Sequence, residues 1–94
     1  MAVNKPLNQF KMSIGDFNGD ALDSYYNVFM DAAVADLSTD DISEEVLNNE
    51  LGQALICLYA EALMNKTDIA TNPTITLLRN KLSIMTKGAR TNVQ

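Results

Sequence analysis

Leu51-Gly52-Gln53-Ala54-Leu55-Ile56-Cys57-Leu58-Tyr59-Ala60-Glu61-Ala62-Leu63 is the stretch that decides the fold class. Wound as an α-helix, it sets Leu51, Ala54, Leu55, Leu58 and Ala62 in one apolar stripe and Ile56, Tyr59 and Leu63 in a second. A helix apolar around more than half its circumference needs neighbours on several sides, so this segment reads as the central core helix. Upstream, Leu22, Tyr26, Phe29, Met30, Ala33 and Leu37 trace another helical face between Asp20 and Leu37. Asp20 and Asp23 stand at its start, where carboxylates suit unsatisfied backbone N–H groups. Downstream, a polar connection from Lys66 to Thr71 leads to Asn72, a good N-cap, and Pro73, which suits the first helical position because it has no N–H to leave unpaired. Ile75, Leu78, Leu82 and Met85 then mark a third face, expected to end near Lys87-Gly88.

The remaining segments are shorter. Ser38-Thr39-Asp40-Asp41 interrupts the periodicity, and Asp41 with Glu44 has the spacing of a capping box for a short helix through Leu47, followed by a turn at Asn48-Asn49. Residues 1–19 hold Pro6, Gly15 and Gly19, and the alternation of Phe10, Met12 and Ile14 reads as an extended arm or one brief strand. The expected fold is all-α: a small bundle of three main helices over residues 20–87, an extended N-terminal arm over 1–19 and a short polar C-terminal tail over 88–94.

With 94 residues the chain fits one domain near the small end of what a single core supports, where oligomerisation is a common way to add buried surface. No apolar run approaches the length of a bilayer span, so no membrane association is expected. Met1-Ala2-Val3-Asn4-Lys5-Pro6 lacks the apolar stretch of a signal peptide, and the expectation is assembly in the cytoplasm.

Chemistry is poorly provided for. The chain has no histidine, which removes the usual general base near neutral pH and the commonest metal ligand. Cys57 lies among apolar neighbours with no cation nearby in sequence, and reads as a buried structural thiol. Asp16, Asn18 and Asp20 match the first three oxygen positions of an EF-hand loop, but position six is Ala21 instead of glycine and position twelve is Asn27 instead of a carboxylate. Arg79 and Lys81 are too few cations, after too long a loop, for a helix-turn-helix reader of DNA. The expectation is a protein without enzymatic activity, cofactor or metal.

Charge is the informative property. The 54 residues between Lys11 and Lys66 hold eleven carboxylates and no Lys or Arg, whereas the 26 residues after Asp68 hold four cations and no carboxylate. Pairs three or four residues apart cannot neutralise such blocks, so the acids either stay solvated or meet cations distant in sequence or on another chain.

In order and local pattern these elements resemble the small head-tail connector (adaptor) proteins of long-tailed bacteriophages. Phe10-Lys11-Met12-Ser13-Ile14 before Asp16 looks like that family's Lys-containing apolar opening segment. Asp20-Ala21-Leu22-Asp23-Ser24-Tyr25-Tyr26, continuing through Asp31-Ala32-Ala33, resembles its first long helix, and Leu47 to Lys66 its second. Asn72-Pro73-Thr74-Ile75-Thr76-Leu77-Leu78 resembles its closing helix. The match runs over about residues 8–87, and departs from the commoner pattern in its short opening segment.

The resemblance implies a subunit of a ring, typically of about twelve copies, that docks beneath the portal and receives the stopper or tail in the virion neck. DNA would pass through its channel without sequence-specific binding. It also implies portal contact through the C-terminal segment, here Lys87 to Gln94 with Lys87 and Arg90; Arg79 and Lys81 are the candidate cations for a neighbouring subunit's acids. A bipolar monomer gains attraction at every head-to-tail contact of a closed ring, and surplus acid facing the lumen keeps DNA from adhering. The alternatives are a small acidic helical module that binds one protein partner, and a calcium module on Asp16, Asn18 and Asp20.

Overall fold

The core-helix segment forms α4 (Glu50–Met64), and every other element packs on it or beside it. The computed structural model describes the backbone of residues 3–92 and the side chains of residues 3–88. In chain order the elements are α1 (Leu7–Ile14), α2 (Asp23–Thr39), α3 (Glu44–Leu47), α4 and α5 (Pro73–Asn92), so the described chain is all-α. Leu55 and Ala62 of the first stripe and Ile56 and Tyr59 of the second are buried, together with Cys57 and Ala60 between them, while Leu51, Ala54, Leu58 and Leu63 are half-buried. α2 covers one side of α4 with Tyr26, Met30, Ala33 and Leu37, and α5 covers another with Ile75 and Leu82. Burial of each large aliphatic side chain among these, Met30, Leu37, Ile75 and Leu82, contributes roughly 1.5–3 kcal/mol, and apolar burial is the main force holding the helices together.

The N-terminal arm is a correction. Residues 7–14 are helical rather than extended, and the period of the buried residues explains why: Leu7, Phe10 and Ile14 turn toward the core at helical steps, while Met12 is 68% exposed. Phe10 is fully buried and meets the Tyr26 ring edge-on at 5.4 Å. Gly15 ends the helix in a left-handed conformation (φ 76°), and the Asp16 N–H donates to the Lys11 carbonyl at 2.8 Å to close a Schellman turn. Met1 and Ala2, also assigned to the arm, lie outside the described residues.

The loop after α1 is tied to α2 by a polar cluster. Lys11 Nζ donates to Asp23 Oδ1 at 2.8 Å and to the Gly19 carbonyl at 2.6 Å, and the Tyr26 hydroxyl donates to Asp16. That bond, the Asn18 N–H and the charge of Lys11 hold the Asp16 carboxyl below the usual carboxylate range. The same hydrogen bond, with burial next, pushes the Tyr26 phenol from 10.0 up to about 12. A depressed carboxylate stabilises the fold above its unfolded value and loses that contribution as pH falls through the folded one; a raised phenol stabilises below about pH 10 and loses it as pH rises toward 12. Thermal midpoints should therefore be flat near neutrality and fall both below about pH 4 and above about pH 10. Tyr26→Phe should shrink both falls, and equal falls in the variant would remove Asp16 and Tyr26 as their origin.

Three further boundaries differ from expectation. α2 starts at Asp23, after a turn in which the Asp23 N–H donates to the Asp20 carbonyl at 3.1 Å, and it runs on to Thr39. The cap of α3 is Ser43, whose hydroxyl accepts from the Val46 N–H at 3.2 Å, so the Asp41–Glu44 capping box does not form. Asp41 instead takes a left-handed φ of 65°, a turn that directs Ile42 into the core and leaves Ser43 as the last residue before the helix. α5 does not stop at Lys87-Gly88 but continues through Asn92, so the polar tail over 88–94 is helical as far as it is described; Val93 and Gln94 lie outside the described residues. Within α5, Thr86 is buried in the place expected for Met85, because its hydroxyl oxygen accepts from the Ser43 N–H at 3.2 Å; Met85 is 38% exposed. At the start of α5 the expectation holds: Asn72 Oδ1 accepts from the Thr74 and Ile75 N–H groups at 3.0 and 3.1 Å.

Candidate assembly surface

Of the four cations singled out on the last helix, three have described side chains, and their settings differ. Arg79 is turned inward along α5, pairs with Asp40 at the end of α2, and lies 5.8 Å from the centre of the Tyr59 ring. It joins the acidic and basic blocks within one chain. Charge reversal at Arg79 consequently tests the fold as well as assembly, because the half-buried side chain already has a partner within its own chain. Lys81 and Lys87 are exposed on α5, and the side chain of Arg90 lies outside the described residues.

Two more distant pairs answer the acidic stretch from outside it. Lys5 meets Asp31 at 2.9 Å, and Lys11 meets Asp23 in a more sheltered position. The segregated charges are thus partly matched across the tertiary structure, each exposed pair contributing no more than about 1 kcal/mol. Asp20, Asp36, Glu45 and Glu50 are exposed on the acidic half.

What sequence reasoning missed is the apolar component of the surface. On α5, Leu77 and Ile84 are 67% and 68% exposed and flank Lys81 at steps of four and three residues, which makes one stripe on the side opposite Ile75, Leu82 and Thr86. On the other flank of α4, Ala32, Ala35, Asp36 and Thr39 of α2 and Tyr59 and Leu63 of α4 line a shallow, mainly apolar groove. Its signal was present in the sequence: Tyr25, Val28, Ala32 and Ala35 fall on the helix face left over once Tyr26, Met30, Ala33 and Leu37 are assigned inward.

The other candidates have structural explanations. Asp16 accepts from Tyr26 and from the Asn18 N–H at 2.9 Å, and the Lys11 ammonium reaches into the same loop at Gly19; a lysine cation there opposes a divalent one. Among the described residues no group of three or more His, Cys, Asp or Glu is placed to hold a metal, and no helix is long and apolar enough to cross a membrane.

Cys57 is buried in α4, 3.8 Å from the Pro6 carbonyl, and burial, reinforced by the charge of Glu61, pushes its thiol up to about 11. In the native protein at pH 8 it should react with an aromatic disulfide reagent about a hundredfold more slowly than a free thiol, and at the ordinary rate in denaturant. Fast native labelling would mean that the chain around Pro6 and α1 does not stay closed over α4.

No protein-family model, no curated protein and no solved structure matches this chain.

Proposed function

We propose that the protein is a non-enzymatic subunit of a head-tail connector ring in a tailed bacteriophage, docking beneath the portal and extending the channel for DNA. The observation that carries this reading is the two-faced body: α2 carries Asp23, Asp31 and Asp36 and no cation, α5 carries Arg79, Lys81, Lys87 and Arg90 and no carboxylate, and α4 stands between them. Opposed faces of unlike charge suit head-to-tail contacts, which close into a ring when the rotation per subunit allows it. The resemblance in order and local pattern to connector proteins supports the same reading, as does the small size of the core, to which subunit contacts add buried surface. Exposed acid surplus suits a channel wall that must not retain phosphates. In this role the protein resides in the virion neck after assembly in the bacterial cytoplasm, with portal and stopper or tail-completion proteins as its partners.

The experiment is co-expression with the portal protein of the same phage, followed by native mass spectrometry of the purified assembly. A portal complex carrying about twelve copies of this chain is the expected result. A chain that never co-purifies with portal would end the connector reading. The groove between α2 and α4, edged by Asp36, favours one other reading, an acidic helical module that binds a single protein partner; that protein would stay monomeric or dimeric and leave the portal bare.

A further inference from the structure

We infer that the outer face of α5 in one copy docks into the α2–α4 groove of the next copy, with Lys81 meeting Asp36; this deepens the connector reading and rests on it for its biological setting. The two surfaces match in composition and in spacing. On α5 the stripe runs Leu77, Lys81, Ile84; on α2 the groove wall runs Ala32, Asp36, Thr39. Each places its charge four residues after the first member and three before the last, so both spread over seven residue steps, about 10.5 Å of helix. Two large exposed side chains thus face a wall of small ones, backed by Tyr59 and Leu63, and a cation faces an acid.

A chain cannot satisfy this match by itself. The stripe lies on the side of α5 away from α4, while the groove lies between α4 and α2. Each copy therefore presents one donor face and one acceptor face, the pair of unlike surfaces that a head-to-tail contact uses. Small side chains at Ala32 and Ala35 let the incoming helix approach closely, in the manner of an amphipathic helix laid in a groove. Lys81 and Asp36 fix the register more than they add affinity, because a rim ion pair is screened by salt. One helix in one groove is a small interface, so a single contact is weak and closure, which gives every copy two contacts, supplies the persistence.

The test is sedimentation velocity of the full chain at low and high salt up to high protein concentration, with Lys81→Glu, Asp36→Lys and Ile84→Asp beside the unaltered protein. The unaltered chain should self-associate, less so at high salt. Each variant should keep its melting curve and lose about tenfold or more in association.

An equimolar mixture of the Lys81→Glu and Asp36→Lys chains should recover association, since each then offers the charge the other needs at both faces. An unaltered chain that stays monomeric throughout overturns the interface, as do variants that associate like the unaltered chain or a mixture that fails to recover. Portal binding is read separately. Copies that bind portal without contacting one another keep the connector reading and lose this interface, and copies that associate through these faces but ignore portal do the reverse.

Discussion

Gly52→Ala should destabilise the protein by about 3 kcal/mol or more and lower its thermal midpoint by roughly 10 °C or more. A Cβ at this position would lie 2.3 Å from the Val46 carbonyl oxygen, 2.5 Å from that of Leu47 and 2.6 Å from the Leu47 carbonyl carbon. All three are backbone atoms, so no rotamer change relieves the overlap. The only relief is to move α3 away from the first turn of α4, and that movement draws on several linked contacts. Asn49 caps α4 by accepting from the Gly52 N–H at 2.7 Å, and Gln53 Nε2 donates to the Leu47 carbonyl at 3.0 Å. Val46 and Leu47 are themselves buried, and Ser43 at the head of α3 holds Thr86. Helix propensity taken alone makes the opposite forecast, since alanine is favoured over glycine by about 1 kcal/mol inside a helix. Thermal unfolding followed by circular dichroism decides between them: a midpoint that stays or rises would mean that α3 and α4 are not in the close contact described.

Phe10→Ala should cost about 3–5 kcal/mol, a large share of the stability of a domain this size. Phe10 is among the largest fully buried side chains, and its removal leaves a cavity bounded by Tyr26 and the core beneath α1. An eight-residue helix does not persist alone in water, so α1 depends on this anchor for its existence as well as its position. Its loss should also loosen the loop that holds Asp16 against Tyr26 and Lys11 against Asp23. Met12→Ala is the matched control, and because Met12 is exposed it should fall within about 0.5 kcal/mol of the parent in denaturant unfolding. Similar losses at both positions would restore the extended reading, in which Phe10, Met12 and Ile14 share one face.

The contrast between these residues also marks where sequence reasoning stopped. Phe10, Met12 and Ile14 alternate, and over so few residues an alternating pattern and the helical set Leu7, Phe10, Ile14 are both present. Only the receiving surface on α2 and α4 selects between them. Longer segments carry less ambiguity: Tyr26, Met30, Ala33 and Leu37 of the α2 face and Leu55, Ile56, Tyr59 and Ala62 of the α4 stripes are buried, although Leu22, expected on the α2 face, is 50% exposed, and Asn72-Pro73 marks the start of α5 by a local rule that needs no tertiary partner. The end of α5 was misread for a related reason. Gly88 looks like a stop signal, yet it is part of the helix and is not in a left-handed conformation, because a glycine permits termination without compelling it.

The candidate surface divides in the same way. That α5 carries only cations and α2 only acids was legible, since charge is a property of composition. That Arg79 turns inward to Asp40 and Tyr59, 39 residues and 20 residues away in sequence, was not. Nor was the groove, because Tyr59 and Leu63 read as interior residues until α2 is placed and leaves their edges open beside Ala32 and Ala35.

By itself the sequence determined an all-α protein built on one central helix, with a start signal for the last helix and unlike charge on the helices that flank the centre. These follow from the period of apolar residues and from short-range backbone hydrogen bonding, both of which act within a few turns. Tertiary structure alone decided that the opening segment is a helix, that Ser43 rather than Asp41 begins α3, that Thr86 rather than Met85 is buried, and which cation faces inward. The physical reason is common to all four: each choice is between local states of nearly equal energy, and contacts with groups distant in sequence set the difference.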